Sequence, residues 1–348
     1  MGAMKSLLVG CISCFGLYNL YVLSEGLHLL TTKGNHGRLV NRQGQSGINI
    51  ADATILVMIS SYRDPDCSNT VSSALKRALY ANRVRVSIVE QRRANDTRCV
   101  PVETACLTGS QTCVSTYDAS RSKGPTYARH LARHHYANET FVLQIDSHMR
   151  FSQNWDIEIV GQWMLTQNDM AVITAYPSDL PALKNGAIVS GTRPVMCRSH
   201  FENGIVRHLA QPEAISARST PILQPFWAAG FSFSRGHFIV NVPYDCCTLH
   251  VFQGEEINIA VRAWTHGYDF YAPMRSILVH DYSLTPSRGR PLFEENAYDD
   301  DVKRRSMARI RATIGLTNES ELIASEPYGI GRTRSVDDFF DISTVSSM

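Results

Sequence analysis

Short apolar runs that end in polar or charged residues organise most of this 348-residue sequence. Residues 55–59 read Ile-Leu-Val-Met-Ile before a polar Ser-Ser-Tyr sequence, and residues 141–145 read Phe-Val-Leu-Gln-Ile before Asp146. Continuous apolar runs of this length are typical of strands buried on both faces, as in a parallel sheet. Such strands need helices to cover both faces, so the pattern predicts an α/β fold.

Segments with helical spacing alternate with these runs. Their alternation, without an internal repeat, predicts one open, mostly parallel sheet flanked by helices. After Glu326 the chain turns polar, and we expect residues 326–348 to form a peripheral tail. Helices are predicted at residues 70–81, 125–137, from about 155, 255–266 and 300–314, and further strands at 84–89, 170–174, 226–234, 268–271 and 277–280.

The N-terminus carries a long apolar stretch. Residues 7–23 contain no charged residue and are just long enough to cross a hydrocarbon core of about 30 Å. We therefore expect residues 1–30 to be a cytosolic tip and membrane anchor, with a cleaved signal peptide or myristoylation at Gly2 as alternatives. Residues 31–52 are rich in Gly, Asn and Gln and are predicted to be a stem before a folded domain at residues 53–325.

Charge and cysteine content narrow the class of protein. A formal charge of +2 gives no basic field of the kind that binds nucleic acid, so no nucleic-acid partner is expected. Nine cysteines are many for a reducing compartment, and Cys99, Cys106 and Cys113 recur at seven-residue intervals in a polar stretch. This favours oxidation in a secretory lumen over a zinc cluster, although the sequence does not define the pairing.

The sequence Asp146-Ser147-His148 follows directly on a predicted strand. In open α/β sheets, ligands bind outside the carboxyl ends of the strands. Residues two apart in extended chain face the same way, so one carboxylate and one imidazole can converge on a cation. A mixed oxygen and nitrogen set suits Mn²⁺ better than Ca²⁺. The alternative is an Asp that caps a turn beside a His in a polar loop.

Five longer motifs decide between these alternatives, because several motifs in series are far more specific than one. Together, over about residues 53–315, the sequence resembles the polypeptide α-N-acetylglucosaminyltransferase family, which includes Skp-type hydroxyproline and trypanosome mucin-type enzymes. The motifs are SSYRDPDC at 60–67, ARHLARHHY at 128–136, LQIDSHMRFSQNWD at 143–156, FWAAGFSFSRG at 226–236 and GEEINIAVRAWTHGYDFYAP at 254–273.

The resemblance implies a GT-A fold, a UDP-GlcNAc donor, a divalent cation such as Mn²⁺, retention of configuration and a polypeptide acceptor. It implies that Asp146 and His148 bind the metal, and that a late histidine, His280, is the third ligand. From the residues alone, His280 ends an apolar strand and would be interpreted as a core histidine. Trp227 and Trp264 either stack on the sugar or fill the core, and for Trp264 we expect the core.

The resemblance also implies roles for charged residues near the predicted strand ends. Asp64 would accept hydrogen bonds from uracil or ribose and Arg63 would neutralise phosphate, the alternative being a surface salt bridge. Arg129 would reach the nucleotide or solvate a helix. Glu255 and Glu256 open a helix, where one carboxylate would stabilise the helix terminus and the other would bind sugar hydroxyls or the acceptor.

Several functions remain open at this point. The transferase could use another UDP-sugar such as UDP-GalNAc, or the chain could be a catalytically silent member that binds glycopeptides. The acceptor hydroxyl could belong to Thr, Ser or hydroxyproline. The anchor and the cysteines favour a single-pass type II protein of the Golgi membrane with a lumenal catalytic domain, where the sequons at Asn138 and Asn318 would be usable.

Overall fold

The computed structural model describes residues 48–101, 110–215, 220–283 and 299–343. The predicted anchor, and all but the end of the predicted stem, lie outside the described residues. Within the described residues, no helix combines the length and apolar character needed to span a membrane.

An eight-stranded sheet forms the centre of the described part of the chain, with spatial order β12-β14-β6-β13-β4-β1-β2-β3. Six of its strands match strands that the sequence pattern predicts, with bounds that differ by a few residues, and the strands at Thr112–Asp118 and Ile222–Gln224 were not predicted. The strands are β1 (Ile55–Tyr62), β2 (Val84–Arg92), β3 (Thr112–Asp118), β4 (Phe141–Ile145), β6 (Ala171–Thr174), β12 (Ile222–Gln224), β13 (Phe231–Arg235) and β14 (Asp269–Ala272).

The sheet is mixed rather than mostly parallel. Four neighbouring pairs are parallel, and three described pairs are antiparallel. The main reversal is β13, which lies antiparallel between β4 and β6. An apolar run is buried equally well in either direction, so its hydrophobicity does not encode strand direction. The prediction of a large α/β sheet is confirmed. Parallel pairing joins β1, β2, β3 and β4 and also joins β6 to β14, whereas the pairs of β13 and β12 are antiparallel.

Helices cover both faces of this sheet. Alternate residues of β1 enter separate core clusters, with Leu56 and Met58 on one face and Val57 and Ile59 on the other. This alternation explains why the whole run is apolar. The helices are α1 (Cys67–Arg77), α2 (Pro125–Ala132), α3 (Trp155–Leu165), α4 (His237–Asn241), α5 (Glu255–Thr265), α6 (Asp300–Thr313) and α7 (Val336–Ile342).

Helix α1 begins and ends earlier than the predicted helix at residues 70–81. The carboxylate of Asp156 accepts hydrogen bonds from the backbone N–H groups of Leu79 and Tyr80, at 2.7 and 3.0 Å. These contacts hold the chain in a non-helical path after Arg77, because the two donors are engaged outside a helical ladder. Similarly, α2 ends at Ala132 and a 3₁₀ turn at Arg133–His135 follows it.

Smaller sheets flank the main one. The strands β10 (Thr192–Glu202) and β11 (Ile205–Ala214) form a long antiparallel hairpin that the sequence analysis missed. Strand β15 (Leu278–His280) pairs with β5 (Met149–Phe151) and with β7 (Ser178–Asp179). Two short strands, β8 (Leu183–Lys184) and β9 (Ala187–Ile188), form a further hairpin.

The segment after Glu326 is not peripheral, which corrects the expectation of a polar tail from residue 326. Phe339 of α7 is fully buried and belongs to the core cluster that includes Trp264 and Phe226. Its ring lies 6.3 Å from Trp264 and 6.2 Å from Phe226. The polar residues around Phe339 face solvent, so the helix has one apolar face. The polar composition of the whole segment does not reveal this face.

The described residues show part of the disulfide pairing. Cys67 of α1 and Cys99 form a disulfide that closes a 32-residue separation, and Cys113 is also disulfide-bonded. Cys106 lies outside the described residues. Cys246 and Cys247 are free thiols.

Candidate active site

The site lies at the carboxyl end of β4. Asp146 follows the last residue of that strand, and His148 stands directly before β5. Strand β15 runs antiparallel to β5 with His280 opposite Met149, and the N–H of Asp281 donates to the carbonyl of His148 at 3.1 Å. This pairing places His280 beside His148, although 132 positions separate them in the sequence.

Asp146, His148 and His280 converge as the sequence analysis predicted. Each offers one ligand atom, and these atoms all lie within 4.8 Å of one another. The two Nε2 atoms of the histidines are 2.9 Å apart, and Nε2 of His280 lies 3.4 Å from Oδ2 of Asp146. Their side chains are 27%, 21% and 12% exposed, respectively. The three ligand atoms are therefore clustered at a position that solvent and small ligands can reach.

Asp64 fixes the orientation of His148. Its Oδ2 lies 2.7 Å from Nδ1 of His148 and accepts a 2.6 Å hydrogen bond from the hydroxyl of Ser147. Burial alone would raise the pKa of Asp64, but the hydrogen bonds with His148 and Ser147 hold it below its usual range. An ionised carboxylate only accepts, so Nδ1 of His148 donates to Asp64, and Nε2 is the ring nitrogen that faces His280.

This arrangement fits a divalent cation. A metal-binding histidine usually donates its second ring nitrogen to a carboxylate, which fixes the tautomer, as Asp64 does for His148. His280 contacts His148 and Asp146 through its Nε2. Its Nδ1 is buried and has no hydrogen-bond partner among the described residues. One carboxylate and two imidazoles form a donor set that suits Mn²⁺ or a similar ion.

Asp64 and Arg63, the predicted donor-binding residues, both make contacts within the protein. The second oxygen of Asp64 accepts from the backbone N–H of Asp66 at 2.9 Å, so both oxygens are engaged within the protein. Arg63 forms a two-point ion pair with Asp96, at 2.7 and 2.9 Å. This is the salt bridge that the sequence analysis gave as the alternative to phosphate binding. Donor binding by Arg63 and Asp64 stays a prediction.

Arg129 joins two carboxylates that lie far apart in the sequence. From α2, it donates to Oδ1 of Asp146 at 2.8 Å and to both oxygens of Glu255 at 2.7 and 2.6 Å. Arg129 and Glu255 are buried. Burial alone would raise the pKa of Asp146, but hydrogen bonding with His280 and the charge of Arg129 hold it well below its usual range. Arg129 is therefore a positioning residue for Asp146 in this structure.

Glu256 occupies the first turn of α5 and contacts the chain around the site. It accepts from the backbone N–H of Ala229 at 3.0 Å and from the hydroxyl of Tyr176 at 2.6 Å. The same hydroxyl lies 3.0 Å from Nε2 of His208 on β11. Burial raises the pKa of Glu256 and lowers the pKa of His208 to about 3, so His208 is neutral at physiological pH.

Two features of the site were not found from the sequence. A Cβ on Gly230 would stand 2.9 Å from Oδ2 of Asp146, so the glycine allows the chain before β13 to approach the carboxylate. The ring of Tyr282 lies 4.0 Å from that of His280, with an interplanar angle of 34°. In contrast, Trp227 and Trp264 are both buried in the core, which excludes them as exposed sugar-stacking surfaces in this structure.

Comparison with solved structures places the fold among known glycosyltransferases. GalNAc-T7, solved with UDP, GalNAc and Mn²⁺, matches at a TM-score of 0.53 with 15% identity, covering 84% of this chain and 55% of that one. The chain thus spans about half the length of that protein. Staphylococcus aureus TarS (residues 1–349), solved with UDP-GlcNAc, matches at a TM-score of 0.45 and 12% identity, covering 75% of this chain and 66% of that one.

Sequence comparison gives the family. No curated protein matches the chain significantly. A family model described as Glycosyltransferase (GlcNAc) matches residues 54–112 and 100–348, which is most of the chain and includes every residue of the site described above. The fold is that of a mixed α/β protein with a large central sheet, as in GT-A glycosyltransferases, and the chain belongs to the GlcNAc glycosyltransferase family.

Proposed function

We propose that the protein is a metal-dependent, retaining glycosyltransferase that moves GlcNAc from UDP-GlcNAc to a hydroxyl of a polypeptide. The observation that carries this proposal is the convergence of Asp146, His148 and His280 at the carboxyl end of β4. Family membership supports a GlcNAc donor, and the motif resemblance supports a polypeptide acceptor. Thr or Ser is the proposed acceptor residue, and hydroxyproline is the alternative.

The cation would be held by Asp146, His148 and His280. A divalent ion bound there would stabilise the negative charge that grows on the diphosphate as the sugar leaves, without a proton transfer. Asp64 accepts from Nδ1 of His148 and so aims Nε2 at the site. Arg129 holds Asp146 through a 2.8 Å hydrogen bond. The carboxylate is therefore already held in place before a cation binds.

The glutamates are proposed to shape the sugar site. Glu255 is fully engaged by Arg129, so its main role is to hold Arg129 against Asp146. Glu256 is 28% exposed and fixes the backbone of Ala229 beside Gly230, close to Asp146. It is the glutamate that we propose faces the sugar or the acceptor.

The first test combines metal binding with turnover in the full-length protein. Replacing Asp146, His148 or His280 by Ala should weaken Mn²⁺ binding, measured by electron paramagnetic resonance, and should lower transfer at least ~100-fold. His200→Ala is a matched control, because His200 lies on the exposed hairpin with a 43% exposed side chain. Normal Mn²⁺ affinity and turnover in His280→Ala would show that His280 is not a metal ligand.

A second test identifies the sugar and the acceptor. The protein is incubated with Mn²⁺, a panel of UDP-sugars and peptides that contain Thr, Ser or hydroxyproline, and the products are identified by mass spectrometry. UDP-GalNAc is the main rival donor, since the structurally similar GalNAc-T7 was solved with GalNAc. Preferential transfer from UDP-GalNAc would replace the proposed donor. Binding of glycopeptides without transfer from any donor would indicate a catalytically silent member.

We further propose a type II topology, with residues 1–30 as the membrane anchor and the catalytic domain in the Golgi lumen. The disulfide between Cys67 and Cys99 supports an oxidising compartment. Both sequon asparagines, Asn138 and Asn318, are exposed and thus accessible to glycosylation. Protease treatment of intact microsomes tests this topology, because digestion of the catalytic domain without detergent would contradict a lumenal location.

A further inference from the structure

We propose that Cys246 and Cys247 form a reversible thiol–disulfide site, in which the two adjacent cysteines close a vicinal disulfide. Their sulfur atoms lie 3.1 Å apart, and both are free thiols in this structure. Cys247 is exposed and Cys246 is partly exposed, so an external reactant can reach the pair. The site lies in the turn between α4 and α5, away from the metal ligands.

The neighbouring groups prepare the pair for disulfide exchange rather than for metal binding. Asp245 lies close to both sulfurs, but its Oδ1 accepts from the N–H of Cys247 at 2.9 Å and its Oδ2 from Nε of Arg309 at 2.7 Å. Both oxygens therefore already accept hydrogen bonds within the protein. The same contacts hold the turn, so the two sulfur atoms stay adjacent.

The geometry indicates a disulfide that is easily reduced. Consecutive Cα atoms are about 3.8 Å apart across a trans peptide bond. Ordinary disulfides join Cα atoms that are at least about 4.4 Å apart, and shorter spans strain the bond and make it more reducible. Strained and exposed disulfides belong to the labile class, in contrast to buried structural ones. We therefore assign exchange, rather than permanent crosslinking, to Cys246 and Cys247.

The reaction needs an external disulfide, such as glutathione disulfide. One thiolate of the pair attacks it, forms a mixed disulfide and releases one external thiol. The second cysteine then displaces the other external thiol and closes the bond between Cys246 and Cys247. Two protons and two electrons pass from the cysteines to the external disulfide, which becomes two thiols. The hydrogen bond with Cys246 and burial raise the pKa of Cys247 to about 11, so exchange should accelerate as the pH rises.

The test uses the full-length protein equilibrated in glutathione buffers of graded potential. Free thiols are alkylated, and trypsin releases the peptide from Gly236 to Arg262, whose only cysteines are Cys246 and Cys247. In the expected oxidised peptide neither cysteine is alkylated, and its mass is lower than that of the unalkylated dithiol peptide by two hydrogen atoms. Its ratio to the doubly alkylated peptide should change 100-fold over about 60 mV, as a two-electron couple requires.

Two comparisons make this result specific. In Cys247→Ser the same peptide should never lose the mass of two hydrogens, because one thiol cannot close the bond. The buried Cys67–Cys99 disulfide should remain oxidised at potentials that already open the vicinal bond. A wild-type peptide that stays doubly alkylated at the most oxidising potential, or that takes up two glutathiones instead of closing, would overturn the proposal.

Discussion

The imidazole of His148 donates from Nδ1 to Oδ2 of Asp64 across 2.7 Å, while its Nε2 lies 2.9 Å from Nε2 of His280. The chain after β1 therefore contributes indirectly to the proposed metal site, by orienting the imidazole of a residue after β4. This relationship separates a positioning role for Asp64 from the nucleotide-binding role that the sequence resemblance implies.

Asp64→Asn should weaken Mn²⁺ binding by about 10- to 100-fold, because loss of a carboxylate partner reduces the basicity and the order of the histidine ligand. UDP affinity, measured by calorimetry, should recover when Mn²⁺ is raised to saturation. Asp66→Asn is the matched control, since Asp66 pairs with Arg150 and does not contact His148. UDP affinity that stays low at saturating Mn²⁺ would instead assign Asp64 to the nucleotide.

Gly230→Ala should weaken Mn²⁺ binding while the protein remains folded. The added Cβ would stand 2.9 Å from Oδ2 of Asp146, and this carboxylate cannot move freely because Arg129 holds it. Gly161→Ala is the control, because a Cβ there meets no atom within 4 Å and Ala is favoured by about 1 kcal/mol in a helix. Unchanged Mn²⁺ affinity in Gly230→Ala would show that the carboxylate tolerates displacement.

Arg129→Met should lower the free energy of unfolding by about 3–5 kcal/mol, because it leaves the buried carboxylate of Glu255 without its partner. Adding Glu255→Met should restore part of the loss, since the pair is then replaced by apolar groups. Denaturant titration of Arg129→Met, of Glu255→Met and of the double variant measures this coupling. A double variant as unstable as the sum of the two single variants would contradict a direct interaction.

Phe339→Ala should lower the free energy of unfolding by about 3–5 kcal/mol, the usual range for a fully buried phenylalanine. Phe201→Ala provides the comparison, because Phe201 is 46% exposed on the hairpin and its removal leaves no internal cavity. Denaturant titration distinguishes the two. If Phe339→Ala and Phe201→Ala were equally stable, the C-terminal segment would be peripheral, as its composition indicated.

The strands were predictable where burial on both faces made the sequence continuously apolar, as in β1 and β4. The hairpin of β10 and β11 was not, because polar residues interrupt its apolar positions without a regular alternation. A local signal was nevertheless present. Asn203 and Gly204, with φ values of 53° and 71°, form the turn, and an Asn-Gly pair favours such hairpins because both residues tolerate positive φ.

The site was predictable only in part. Asp146 and His148 follow a recognisable strand, so their position allowed a ligand site, and the motif resemblance favoured it over a capped turn beside a polar loop. His280 came from the family resemblance, and its approach depends on the pairing of β15 with β5. The contact of Arg129 with Glu255 joins residues 126 positions apart, and a single sequence carries no signal for such a pair. Long-range ion pairs are set by tertiary packing, which local patterns do not encode.

The burial of Phe339 against Trp264 also has a consequence for synthesis. Domains fold from the N-terminus as the chain is made, but α5 cannot complete its packing until the ribosome has produced Phe339. A nascent chain that already contains Asp146, His148 and His280 would still expose the apolar surface of this helix. A premature stop codon before Phe339 should therefore yield a truncated protein that cellular quality control retains and degrades.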